Sequence, residues 1–225
     1  MTRRIIITGG LGVLGRATAE AAAARGWRSA LIDYSIKSDD PPPGQLIGGI
    51  DLTDEAQAQR AVGEAAETLG GVDALINIAG GFVWETVADG SADTWRRMFE
   101  MNVMSAVNAC RAALPALKSA GEGRIVNVGA AGAVKAAMGM GAYAASKAGV
   151  MRLTEALAEE LKSDGVTVNA VLPSIIDTAR NRADMPDADP AKWVAPADLA
   201  AVILFLASEE ARAVTGALVP VTGRV

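Results

Sequence analysis

The chain has no histidine and a single cysteine, Cys110, among its 225 residues. That inventory excludes His-based catalytic triads, Cys/His zinc sites and any disulfide framework, and no metal site is expected. Cys110 reads as a buried helical residue. No apolar run approaches the ~18 residues needed to span a bilayer. The isoleucine triplet Ile5-Ile6-Ile7 near the N-terminus is too short for a signal h-region, so a cytoplasmic protein is expected. Net charge is −5 and no Lys/Arg cluster occurs, which leaves no electrostatic footprint for nucleic acid or an anionic membrane. Proline and glycine are spread along the chain and 51% of positions are hydrophobic, so one domain covering residues 1–225 is expected, with no linker dividing it.

The chain is organised around Thr8 to Gly15, TGGLGVLG, set between Arg4-Ile5-Ile6-Ile7 and an alanine-rich stretch from Arg16 to Arg25. Consecutive β-branched residues suit a buried strand, the glycines a tight turn and the alanines a helix. Gly10, Gly12 and Gly15 fit G-x-G-x-x-G. Such a turn aims backbone N–H groups and the positive end of a helix at one point, and glycines let a pyrophosphate approach closely. A second apolar strand, Ala30-Leu31-Ile32, ends in Asp33 about 20 residues after the turn, where a dinucleotide fold places the acid that meets the adenosine ribose.

Strand and helix patterns then alternate. Tyr34 to Gly44 is a proline-bearing loop, Gln45 to Ile50 a strand, and Thr53 or Asp54 caps a helix reaching about Leu69. Val72 to Ala79 is the fourth strand. A long helical region from about Ser91 to Ala120 follows, with a kink or break expected at Pro115. Arg124 to Val128, Val166 to Leu172 and Ala217 to Val221 complete the strands, and helices cover Ala142 to Lys162 and Asp198 to Ala207. Thr178 to Ala195, rich in Asp, Arg and Pro, reads as a mobile segment. This alternation with near-continuous apolar strands implies an α/β fold: a single doubly wound Rossmann domain with a seven-stranded parallel sheet.

Tyr143-Ala144-Ala145-Ser146-Lys147 is the second constellation. Residues four apart share a helix face, so Lys147 lies beside Tyr143. A phenol with its free pKa of about 10 is a poor acid–base catalyst at neutral pH, and a neighbouring ammonium lowers that value by favouring the phenolate.

With these residues in order, the chain resembles the short-chain dehydrogenase/reductase family over essentially its full length. Thr8 to Gly15, including Gly9, Val13 and Leu14, resembles the family's phosphate turn. Asp51-Leu52 resembles the pair that meets adenine, and Asn77-Ile78-Ala79-Gly80 its N-N-A-G. Asn102 falls where the active-site asparagine falls, Tyr143 and Lys147 match the catalytic pair, and Pro173 to Thr178, with Ile176, resembles the nicotinamide-contacting loop. The resemblance implies an NAD(P)(H)-dependent oxidoreductase that moves hydride between nicotinamide C4 and a small carbonyl or alcohol. Tyr143 transfers the proton, Lys147 lowers its pKa and holds the nicotinamide ribose, Asn102 supports a relay water and Thr178 orients the carboxamide. Asp33 implies NAD(H) over NADP(H). The family's paired helices imply a homodimer or homotetramer through Met101 to Leu117 and Tyr143 to Leu161.

Three departures carry information. Position 13 is Val13, the glycine having moved to Gly12; the loop Pro-Gly pair is Pro173-Ser174; and the family's substrate-binding serine is Ala130, with no Ser or Thr anywhere from Val128 to Ala142. The dihydropteridine reductase branch is similar in the form of its turn and in that alanine, and also in Gly80-Gly81 followed by Phe82 and Trp84. A quinonoid dihydropterin is therefore an alternative substrate, stacking on Trp84. Met138 and Met140 are expected on the substrate side with Ala130. A non-catalytic dinucleotide sensor is the other alternative, against which Tyr143, Lys147 and Asn102 stand.

Overall fold

A computed structural model of the protein describes residues 2–225. Side chains along a strand alternate between faces, and β1 (Arg4–Thr8) divides its isoleucines accordingly: Ile5 and Ile7 enter one core, Ile6 the other. β2 (Arg28–Ile32) does the same, with Leu31 on the first side and Ala30 and Ile32 on the second. Strands apolar on both faces need cover on both. α1 (Val13–Ala24) and α7 (Pro196–Leu206) cover one side through residues such as Ala19, Ala22, Leu199 and Ile203. α2 (Glu55–Leu69), α4 (Ser105–Ser119) and α5 (Gly141–Glu160) cover the other through Val62, Ala113, Leu117 and Leu157.

With β3 (Gln45–Ile47), β4 (Ala74–Asn77), β5 (Arg124–Val128), β6 (Thr167–Pro173) and β7 (Leu218–Val221), the sheet has seven strands in the order β3-β2-β1-β4-β5-β6-β7. Every pairing is parallel. The chain winds outward from β1 to β3 and then crosses back to β4 on the far side of β1. A crevice therefore opens beyond the carboxyl ends of β1 and β4, the place where doubly wound sheets bind ligands. One edge strand has three residues, and the other carries Pro220, which has no N–H to offer a further strand.

One expectation about the connections is corrected. The region from Ser91 to Ala120 does not break at Pro115. α3 (Ala92–Phe99), capped by the Ser91 hydroxyl, runs into a π-helical segment, Glu100–Met104, and α4 continues through Pro115 to Ser119. Pro115 and Arg111 both lie on the exposed side, so the Arg111 carbonyl, deprived of its N–H partner, is open to water. Residues 178–195, expected to be mobile, contain α6 (Ala179–Asp184) and a 3-10 turn at Pro190–Lys192. Trp193 and Val194 close the segment at 7% and 3% exposure, and Val194 is bridged in parallel to Ile176. The polar composition hid two core residues at its end.

Four buried polar side chains tie the layers together beneath the crevice. Asn77 and Asn127 face each other across β4 and β5, with Asn77 Nδ2 donating to Asn127 Oδ1 at 2.9 Å. Asn127 Nδ2 donates onward to Thr154 Oγ1 on α5 at 2.9 Å, and Asn77 Nδ2 also meets Cys110 Sγ on α4 at 3.2 Å.

Candidate active site

The glycine-rich turn is built by close approach. Gly9 has φ +67° and its Cα lies so near the strand after β4 that a side chain would reach the Ala79 N at 2.9 Å. Thr8 Oγ1 accepts from the Ile78 and Ala79 N–H groups at 3.1 and 3.2 Å, locking the turn to that strand end. A side chain at Gly10 would meet Leu31 Cβ at 2.6 Å, and one at Gly15 would overlap the Gly9 carbonyl. Gly12 starts α1 without a side-chain cap, and no acid sits in the helix's first turn. The first N–H groups of α1 are thus available to an anion, with Val13 exposed and Leu14 turned into the core.

Asp33 follows β2 beside this turn. Its Oδ2 accepts from Leu11 N–H and its Oδ1 from Ser35 N–H, both at 2.9 Å, which orients the carboxylate and leaves each oxygen a further lone pair. Arg16 fastens the loop that follows, donating to Leu11 O at 3.0 Å, Ser38 Oγ at 2.5 Å and the Asp40 carbonyl. The turn, the bare helix end and this oriented acid fit the pyrophosphate and ribose of a nicotinamide dinucleotide.

The other residues singled out in the sequence divide into two groups. Asp51 binds Thr53 through its Oδ1 (2.9 Å to N, 2.7 Å to Oγ1), Leu52 is buried with its carbonyl bound by Asn108 Nδ2, and Asn77 belongs to the buried network. Pro173 ends β6, Ile176 bridges Val194, and Thr178 Oγ1 caps α6 by accepting from Asn181 N–H at 3.1 Å. The remaining residues converge near Tyr143. Asn102 sits in the π-helical segment, a local widening common at functional sites. Its Oδ1 accepts from Gly81 N–H at 2.9 Å, and its Nδ2 donates to Gly81 O at 3.1 Å and Ser146 Oγ at 2.9 Å. Ser146 Oγ in turn donates to the Tyr143 carbonyl at 2.7 Å. A side chain at Gly80 would overlap Asn102 Oδ1, which explains the glycine there. Ala130 is 4% exposed and extended. Trp84, half exposed, packs against Gly139, and the Glu85 N–H donates to Gly139 O at 2.8 Å. Met138 is 79% exposed, and Met140 lies against Gly132.

Tyr143 and Lys147 share a face of α5, but the expected lowering of the phenol pKa is not found. Burial pushes Tyr143 up to about 12, and burial pushes Lys147 down to about 8. The amine donates instead to the Val128 carbonyl at the end of β5, at 2.8 Å. In this dry environment the cost of charge outweighs the pairing that helical spacing suggests. Spacing had not exposed Asn127, Thr154 or Ser146 as structural parts of the site, and Thr8 entered only as the first residue of the glycine turn. Of those three, only Ser146 carried a signal, through its place one residue before Lys147.

The short chain dehydrogenase family model matches residues 3–189. Meso-2,3-butanediol dehydrogenase from Serratia marcescens is 32% identical, over 97% of this chain and 92% of its own length. Acetoacetyl-CoA reductase from Allochromatium vinosum is 30% identical, over 99% of this chain and 98% of its own. The solved structure of carveol dehydrogenase from Mycobacterium avium in complex with NAD superposes with a TM-score of 0.87 at 26% identity, covering 99% of this chain and 97% of that one. The chain belongs to the short-chain dehydrogenase/reductase family, and its activity is NAD(P)-dependent hydride transfer. Among the described residues, no helix is long and apolar enough to cross a membrane.

Burial of Lys147 has a consequence for stability. The folded-state value of about 8 lies below the ordinary 10.5, so the unfolded chain holds the extra proton between those values and stability rises with pH across that window. Compared with the wild type, Lys147→Met should gain on the order of 3 kcal/mol as pH falls from 10 to 7, read from urea unfolding at the two pH values. A stability difference that does not change with pH would contradict this account.

Proposed function

We propose that the protein is an NADH-preferring reductase or dehydrogenase of a small carbonyl/alcohol pair, with Tyr143 as the proton-transferring group. The observation that carries this reading is the convergence of Tyr143, Lys147, Asn102 and Ser146 at the end of the crevice that begins at the glycine turn. Bound nicotinamide supplies or accepts the hydride at C4. The first turn of α1 binds the pyrophosphate, Asp33 accepts from the ribose hydroxyls, and Thr178 and Ile176 flank the nicotinamide end. Tyr143, kept protonated by burial, donates to the carbonyl oxygen in reduction and takes the proton back in oxidation. Lys147, released from Val128, is the group that holds the nicotinamide ribose. Both amide atoms of Asn102 are engaged by backbone and Ser146, so its part is to position the wall around Tyr143.

The buried Ala130 supports a second reading of the substrate. No hydroxyl at that position is available to share a carbonyl oxygen with Tyr143, which suits an acceptor other than a simple ketone, such as a quinonoid dihydropterin. The activities of the relatives, on a diol and an acetoacetyl thioester, favour the carbonyl reading.

Assays should pair NADH with butane-2,3-dione, acetoacetyl-CoA and quinonoid dihydropterin. With the best of these, Tyr143→Phe should keep cofactor affinity and lose roughly 10²- to 10⁴-fold in kcat. Near-normal turnover would remove Tyr143 from the chemistry.

Cofactor choice is tested separately. The Asp33 carboxylate repels a 2′-phosphate, so kcat/KM should favour NADH, and Asp33→Ser should narrow the gap by about tenfold or more. Equal efficiency of the wild type with both cofactors refutes the preference.

A homodimer or homotetramer in the cytoplasm completes the proposal. The partly exposed Met104, Val107 and Leu114 on or beside α4 and Leu153 on α5 favour a two-fold partner on that face. Light scattering at micromolar concentration should give at least twice the 23.0 kDa of one chain. A mass of one chain overturns it.

A further inference from the structure

The Tyr143 hydroxyl makes no hydrogen bond among the described residues, and Ala130 has none to offer, so packing alone must set the direction of the phenol. One side chain is placed to do this. The Phe82 ring meets the Tyr143 ring edge to face, with centroids 4.9 Å apart and planes at 86°, the geometry aromatic pairs prefer. Both members of the pair are anchored at the same point. Asn102 binds the N–H and the carbonyl of Gly81, the residue before Phe82, and through Ser146 it binds the carbonyl of Tyr143. The contacts form a closed ring: Asn102, Gly81, Phe82, Tyr143, Ser146 and back to Asn102. The Met101 sulfur packs against Gly81, and the two hydrogen bonds from Asn102 fix the peptide that leads to Phe82.

We propose that Phe82 is a positioning residue, holding the Tyr143 ring in its reactive orientation and shielding it from water in place of the hydroxyl missing at position 130. This rests on Tyr143 being the proton donor, but the placement of Phe82 is a separate claim. Phe82 is 49% exposed, so its outer side borders the space where substrate enters, while its inner side covers the phenol. Lys147, one turn further along α5, donates to the Val128 carbonyl.

Two measurements test it. The protein has two tyrosines, so a Tyr34→Phe background leaves Tyr143 as the sole phenol for an ultraviolet tyrosinate titration. Phe82→Ala should lower the midpoint from about 12 by a unit or more towards the free value of about 10, and Phe82→Trp should hold it high. The second measurement is a double-mutant cycle in kcat on the best substrate. Phe82→Ala should cost about tenfold with the KM for NADH unchanged, Phe82→Trp should restore most of it, and Phe82→Ala should cost nothing further when added to Tyr143→Phe. An unchanged titration midpoint, or losses that multiply in the double variant, would make Phe82 a substrate wall only and overturn the inference while leaving Tyr143 as donor. A fully active Tyr143→Phe enzyme overturns the donor assignment, and this inference with it.

Discussion

The structure depends on the contact between two backbones at the centre of the sheet. Where the chain turns out of β1 it must pass within touching distance of the chain leaving β4, and only a residue without a side chain, in the left-handed region, can do so. Gly9 meets that requirement and Thr8 secures it with two hydrogen bonds. The seat of the phosphate turn and the path of residues 78–81 are therefore set together. From that path follow the peptide that Asn102 grips and the ring that covers Tyr143, so both halves of the crevice share one origin.

The electrostatics of the site follow from dryness. A phenol and an amine on neighbouring turns of one helix could stabilise each other as ions in a polar setting. Here burial pushes both towards their neutral forms, and the amine has found a carbonyl. The free protein thus keeps the Tyr143 phenol protonated, while the Lys147 amine, at about 8, still carries its proton at neutral pH and releases it little above that.

Much of this was legible in the residues. Strands that are apolar on both faces, helices with caps and the glycine turn are local patterns, and each strand lies within a few residues of where the pattern puts it. The Tyr143–Lys147 pairing and the placement of Asp33 were legible because helix and strand periods fix which residues share a face. What escaped is non-local. Asn127 and Thr154 look like ordinary strand and helix residues until β4, β5 and α5 are assembled around them. Trp193 lay in a polar stretch that average composition assigns to solvent, yet it is buried beside Val194, which bridges Ile176. Pro115 is a strong breaker on propensity, but its exposed position on α4 lets water replace the lost bond. The direction of the Lys147 amine depends on a carbonyl nineteen positions away in the chain.

The π-helical segment also settles the phase of the chain between α3 and α4. Thr94, Met98, Asn102, Ala106 and Cys110 are all buried and fall at strict intervals of four. An α-helix turns about 100° per residue, so each step of four overshoots a full turn by about 40°, and such a series would wind steadily off one side. The wider turn at Glu100–Met104 absorbs one surplus residue and takes back about 100° of that drift. Asn102 lies within this correction and not on a regular face. Its inward aim is a property of the helix's phase as a whole, and it is sensitive to insertion or deletion of one residue anywhere between Thr94 and Cys110.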